Sequence, residues 1–136
     1  MRVVIDTNVI LSGIYDPDSI PGKILDAAVV GSLSLCSPES VKSELDRVLG
    51  RVLGFAPLQI RHAFEALRID WIPKKVYEPE MSRARDLLRD PDDAPILACA
   101  LAAGCDIVTG DKDLHAVRVR GIRVWKPSEL DRENHA

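Results

Sequence analysis

The chain has 136 residues, of which 46% are apolar and 29% charged, a composition typical of a globular protein with a single domain over residues 1–136. Its formal net charge of −3 argues against a general nucleic-acid binder with a basic face. Two bound divalent ions would add four positive charges and change the net charge from −3 to +1. The longest apolar run, Ile96 to Ala103, is too short for a membrane span and no signal peptide opens the chain, so we expect a cytoplasmic protein.

Short β-rich runs alternate with helical patterns along the chain. The strand candidates are residues 3–5, 33–36, 69–72, 106–109 and 122–125. The helix candidates are residues 21–30, 38–52 with Ser37 as N-cap, 57–67, 79–88, and 94–103 with Gly104 as its stop. Because such alternation is typical of parallel strands joined by right-handed crossovers, we predict an α/β fold with helices on both faces of a parallel sheet.

The three cysteines indicate neither a disulfide framework nor a zinc site. Cys36, Cys99 and Cys105 are odd in number and lack CxxC spacing. We therefore expect them to be small buried hydrophobic residues.

Four acidic residues are expected to meet at one edge of the sheet. Asp6 and Asp111 each follow a strand, and Asp93 precedes a helix that is apolar nearly all round. Glu44 lies on the flank of the apolar stripe of its helix, from which it can reach toward the same edge. Because crowded carboxylates repel one another, the cluster predicts a divalent cation, and all-oxygen ligands favour Mg²⁺ or Mn²⁺.

Each acid also has a structural interpretation. Asp6 could cap a turn, since Asp followed by Thr and Asn is ordinary loop chemistry. Glu44 could be a solvated residue on a helix flank. Asp93 could cap backbone N–H groups at its helix N-terminus, a position for which Asp90 and Asp92 compete.

The order and spacing of four segments carry a family resemblance. These segments are VVIDTNVILSG, SELDRVL, DDAPILACALAAGCDIVTGDKDL and WKPSEL. Over about residues 2 to 130 the chain resembles PIN domains, and more narrowly the VapC-type toxin ribonucleases of prokaryotic toxin–antitoxin pairs. The resemblance implies a three-layer α/β/α sandwich around a central parallel sheet of four to five strands.

The same resemblance implies a ribonuclease site that binds Mg²⁺ or Mn²⁺, with an antitoxin as a protein partner. It assigns the four catalytic, metal-binding acids to Asp6, Glu44, Asp93 and Asp111. Asp113 is a near neighbour that can assist, and Asp92 could serve in place of Asp93. The expected supporting residues are Thr7, Asn8 and Thr109, which would orient the acids by hydrogen bonds, and Lys112, which would neutralise a substrate phosphate.

Two alternatives to a nuclease remain open from the sequence. Lys126 and Pro127 follow the last strand candidate, as a Lys-Pro pair often does in phospho-accepting receiver modules. A non-catalytic RNA-binding protein with the same fold is the second alternative. Core packing is one explanation of an apolar group in the middle of the chain, and a surface for a homodimer or an antitoxin is the other. The members of this group are Val52, Leu53, Phe55, Leu58 and Ile60.

Overall fold

Five parallel strands form one sheet in the computed structural model, which describes residues 1–135. The strands are β1 (Arg2–Ile5), β2 (Ser34–Pro38), β3 (Ile69–Ile72), β4 (Asp106–Val108) and β5 (Val124–Trp125). Their order in the sheet is β3-β2-β1-β4-β5, and every neighbouring pair is parallel. The predicted parallel α/β sandwich is confirmed, with five strands.

Nine α-helices cover the sheet in this part of the chain. They are α1 (Thr7–Tyr15), α2 (Ile20–Val29), α3 (Glu39–Arg51), α4 (Pro57–Ala66), α5 (Lys74–Tyr77), α6 (Met81–Leu87), α7 (Ala94–Ala103), α8 (Lys112–His115) and α9 (Pro127–Asn134). Short 3₁₀ turns at Glu78–Glu80 and Pro91–Asp93 precede α6 and α7. Within residues 1–135, none of the helices has the length and apolar character that crossing a membrane requires.

Helix α7 is the most deeply buried helix and packs against β1, β2 and β4. Its sequence is apolar nearly all round, and a helix of that kind is stable only when it is enclosed. Leu97 and Cys99 are fully buried within it. The helix ends at Gly104, whose φ of 65° places it in the left-handed region that favours glycine. The burial of α7 fixes the position of the loop that precedes it, which carries Asp93.

The start of α3 differs from the prediction. Ser37 was expected to cap this helix, but it lies in β2, where its buried hydroxyl donates to the carbonyl of Ile5 at 2.9 Å. Pro38 is the N-cap instead, and the helix begins at Glu39. Proline has no N–H and a fixed φ, so it ends the strand and precedes the helix without an unsatisfied donor.

The strand order argues against a receiver module. Flavodoxin-like sheets have the order 2-1-3-4-5, whereas this sheet has the order 3-2-1-4-5. The Lys-Pro pair has a local explanation, because Lys126 is the N-cap of α9 and Pro127 is its first residue. The three cysteines are free and buried, as expected.

Truncating the core of α7 tests this packing. We expect Leu97→Ala to lower the free energy of unfolding by about 2–5 kcal/mol, because it removes buried methyl groups and leaves a cavity. Val29→Ala is the control on α2, where 52% of Val29 is exposed, and it should cost less than about 0.5 kcal/mol. Urea denaturation measures both, and equal effects would contradict the described core.

Candidate metal centre

An acidic cleft of about 450 Å³ lies at the carboxyl end of β1, where the strand order reverses. The chain continues from β1 to β2 on one side, while β4 pairs with β1 on the other. Open α/β sheets bind ligands at such a switch point. The acids lining the cleft are Asp6, Glu44, Asp92, Asp93 and Asp111.

Asp6 combines a capping role with a position in the cleft. It is the N-cap of α1, and its Oδ1 accepts the Thr7 N–H at 2.7 Å. Its Oδ2 accepts the Thr109 hydroxyl at 2.7 Å. Burial raises the pKa of Asp6 despite these two hydrogen bonds, and the charge of Asp111 raises it further. The structural interpretation of Asp6 as a cap is therefore confirmed, and its position in the cleft leaves its functional role a prediction.

The turn after β4 places Asp111 by hydrogen bonds. Thr109 Oγ1, the donor to Asp6, also accepts the Asp111 N–H at 3.0 Å. Oδ1 of Asp111 accepts the N–H groups of Asp113 at 2.7 Å and Leu114 at 3.4 Å. Gly110, which precedes Asp111 in this turn, does not have a positive φ, so the backbone conformation there does not require glycine.

Asp93 carries the least satisfied carboxylate of the cleft. Its Oδ2 is buried and has no hydrogen-bond partner among residues 1–135. Although Asp93 is the N-cap of α7, its side chain makes no capping bond there within the described chain. Desolvation raises the pKa of Asp93 to about 7, and the charges of Asp111, Asp6, Asp90 and Asp113 add to the effect.

Asp90 belongs to the acidic group, although the sequence indicated only a capping role. Its Oδ1 accepts the Asp92 N–H at 3.0 Å, so Asp90 does cap the 3₁₀ turn. In addition, Asp90, Asp93 and Asp113 each offer a carboxylate oxygen within 4.8 Å of the others. Spacing alone did not show that Asp90 and Asp113 face Asp93.

The remaining predicted residues divide between two surfaces. Glu44 is exposed on α3 and lines the cleft, as its position on the helix flank predicted, and Asn8 and the exposed Asp92 line it too. Thr7 contributes its backbone N–H to Asp6. Lys112 is not part of the cleft and lines a neighbouring groove.

The donor set of the cleft fits a hard divalent cation. Every acid in it offers oxygen, and the sulfur atoms of the three cysteines lie in the core. A buried carboxylate oxygen without a donor is costly unless a proton or a cation binds there. The orphaned Oδ2 of Asp93 therefore indicates where the site lacks positive charge.

The crowding of acids predicts a pH dependence of folding stability that can be measured in metal-free protein. The folded-state pKa of Asp93, about 7, lies above its ordinary value of 3.8, so the folded state favours the protonated form. The stabilisation that protonated Asp93 gives the folded state is fully present below about pH 4 and is lost as the pH rises through 7. We expect Asp93→Asn to be more stable than the wild type at pH 8 by about 1–3 kcal/mol, and the advantage to shrink toward pH 5.

Chemical denaturation in excess chelator at pH 5 and pH 8 measures this difference. Asp92→Asn is the matched control, because Asp92 is the exposed neighbour and should keep the pH dependence of the wild type. Destabilisation by Asp93→Asn at pH 8 would mean that Asp93 is a structural cap.

Comparisons with known proteins agree with this architecture. A family model of the PIN domain matches residues 2–113. A protein of Methanocaldococcus jannaschii, described as uncharacterized, is 32% identical over 125 residues, which cover 87% of this chain and 76% of that protein.

Two solved structures share the fold. A chain of a toxin–antitoxin complex from Klebsiella pneumoniae has a TM-score of 0.69 at 19% identity, covering 92% of this chain and 97% of that one. A chain of VapBC2 from Rickettsia felis, solved with a fragment of promoter DNA, has a TM-score of 0.68 at 15% identity. The match covers 93% of this chain and 98% of that one. The family model spans most of the present sequence, and this chain belongs to the PIN-domain family.

Proposed function

We propose that this chain is a Mg²⁺- or Mn²⁺-dependent ribonuclease that hydrolyses RNA phosphodiester bonds and acts as the toxin of a toxin–antitoxin pair. The observation that carries the proposal is the buried, unpartnered Oδ2 of Asp93 beside several other carboxylates at the switch point of the sheet. That arrangement costs folding energy and is understandable if a cation completes it.

The residues that would hold the ion are the acids of the cleft and their neighbour from α8. They are Asp6, Glu44, Asp93 and Asp111, with Asp113 assisting. When bound, divalent metal supplies charge that polarises a phosphate and lowers the pKa of water. Whether Mg²⁺ or Mn²⁺ binds depends on the availability of each ion as well as on the type of ligand.

The chain itself contributes orientation and proton control. The Thr109 hydroxyl and the Thr7 N–H hold both oxygens of Asp6, so this carboxylate cannot rotate away from the cleft. Backbone N–H groups hold one oxygen of Asp111 in the same way. Asp93, with a pKa of about 7 in the metal-free protein, must lose its proton before its oxygens can act as ligands, so we propose that metal binding weakens as the pH falls below this value.

The toxin assignment draws on the fold comparisons and on exposed apolar residues. The two solved structures compared above come from toxin–antitoxin complexes. Val52, Leu53 and Leu58 are 68%, 37% and 56% exposed, so the domain core does not bury them. Phe55 and Ile60 are half-buried beside them. This apolar region supports a proposed protein-binding surface, for a homodimer or an antitoxin.

Cleavage of RNA by the purified protein tests the nuclease proposal. We expect hydrolysis of a single-stranded oligoribonucleotide with Mg²⁺ or Mn²⁺ and none in excess EDTA. Asp6→Asn and Asp111→Asn should each reduce the rate by at least about 100-fold, because each removes a charged ligand while conserving shape. Gel-resolved initial rates provide the measurement.

Two matched variants sharpen that experiment. Asp26→Asn neutralises an acid on α2, outside the cleft, and should cleave like the wild type. Comparing Asp92→Asn with Asp93→Asn decides which adjacent acid serves, and we expect the larger loss for Asp93. Undiminished cleavage in EDTA would refute metal dependence, and metal binding without cleavage would favour a non-catalytic RNA-binding protein.

Expression and light scattering test the toxin and the homodimer. We expect growth arrest when the wild type is expressed alone and normal growth for Asp6→Asn at equal protein levels. The protein should be dimeric in solution, and Val52→Asp should shift it toward monomer by placing a charge in the apolar region. A monomeric, harmless protein that still cleaves RNA would contradict the toxin assignment and leave the nuclease.

A further inference from the structure

A groove of about 780 Å³ lies beside the acidic cleft. It lies between the turn after β4, helix α8 and the first residues of α2 and α9. Its floor is mostly apolar, with Ile20, Pro21 and Pro127 among the lining residues, and Lys112 and Lys126 also line it. No residue lines both this groove and the acidic cleft.

One short segment of the chain contributes to both depressions. Asp111 lines the acidic cleft, whereas Gly110 and Lys112 on either side of it line the groove. An extended ligand with its reacting group in the cleft can therefore continue past this segment into the groove. The two depressions are adjacent parts of one continuous surface.

The charge of the groove differs from that of the protein as a whole. Lys112 and Lys126 are exposed, and within residues 1–135 neither lies within 4.0 Å of a carboxylate as an ion pair. The nearby Glu129 is engaged locally, because its Oε1 accepts the Lys126 N–H at 2.9 Å, which lowers its pKa. A chain with a net charge of −3 thus presents two free ammonium groups beside its most acidic site. The positive charge of these two ammonium groups favours binding of an anion.

Gly110 has no structural reason to be glycine. Its φ is not positive, and a Cβ added there would meet no atom of the described residues within 4 Å. The missing side chain leaves the groove open at Gly110, and glycine at such a point lets a ligand approach the backbone closely. This open position is next to Asp111, along the path of an RNA strand from the cleft to the groove.

We propose that this groove binds the nucleotides next to the scissile phosphodiester, with Lys112 and Lys126 on phosphates and the apolar floor against ribose and base. This assignment rests on the proposed ribonuclease function and adds a path for the RNA strand. Lysine contacts to phosphate carry no sequence information, and the described groove residues include no Phe, Tyr or Trp for stacking. The groove accordingly contributes affinity for RNA of any sequence.

Two variants and two substrates test the groove. Lys126→Gln removes one cation. Gly110→Leu places an apolar side chain in the groove beside Asp111; a Cβ at residue 110 meets no described atom within 4 Å, and a melting temperature close to that of the wild type is the check that the fold is intact. Arg68→Gln is the matched control, since Arg68 is exposed just before β3, at the opposite edge of the sheet. The substrates are a single-stranded oligoribonucleotide and bis(p-nitrophenyl) phosphate, a phosphodiester without flanking nucleotides.

We expect both groove variants to raise the oligoribonucleotide KM by roughly three- to tenfold and to hydrolyse bis(p-nitrophenyl) phosphate at the wild-type rate. The salt dependence of RNA binding, measured by fluorescence anisotropy, should lose about 0.7 in log–log slope for Lys126→Gln. Arg68→Gln should behave as the wild type in every assay.

The groove proposal and the nuclease proposal can be refuted separately. If the wild type cleaves RNA and the groove variants bind and cleave it equally well, the groove proposal is overturned, even if the variants lose affinity for a protein partner. If the wild type hydrolyses neither substrate, the nuclease proposal fails. Anisotropy with uncleaved RNA then still decides the groove, because unchanged binding by Lys126→Gln and Gly110→Leu would refute it.

Discussion

The hydrogen bond between the Thr109 hydroxyl and Asp6 joins the ends of two neighbouring strands, and the acidic cleft depends on it. Thr109 donates to Asp6 and accepts from the Asp111 N–H, so one hydroxyl places two acids that repel each other. His115 donates its Nε2–H to the Thr109 carbonyl at 2.7 Å, which holds the same turn from the other side. Burial of α7 then brings Asp93 against this pair. The geometry of the cleft is thus fixed before any cation binds.

Local sequence patterns predicted much of the fold. Residues 94–103 are apolar on all sides and end at glycine, so their burial as one helix required no knowledge of the rest of the chain. The parallel sheet followed from alternating elements, and the positions of Asp6 and Asp111 followed from the strands that they end. These predictions succeeded because each depends on a few consecutive residues and on one rule of chain geometry.

Features that depend on contacts between residues far apart in the chain could not be predicted from the sequence. Helix α1 was not predicted, because Asp-Thr-Asn is common in turns and the following Val9 and Ile10 favour strands, yet burial of these two side chains stabilises the helix. Asp90 approaches Asp113 only because the loop before α7 meets α8. The groove beside the cleft likewise combines the starts of α2 and α9, which lie more than 100 residues apart.

The order of the strands also determines when the cleft can exist. The carboxylate of Asp6 receives its second hydrogen bond from a residue 103 positions later, and β4, which pairs with β1, is the fourth strand to be synthesised. A growing chain on the ribosome therefore exposes Asp6 and Glu44 long before Thr109 and Asp111 emerge. For a protein proposed to cut RNA, late assembly keeps the nascent chain inert beside its own message until the domain is almost complete.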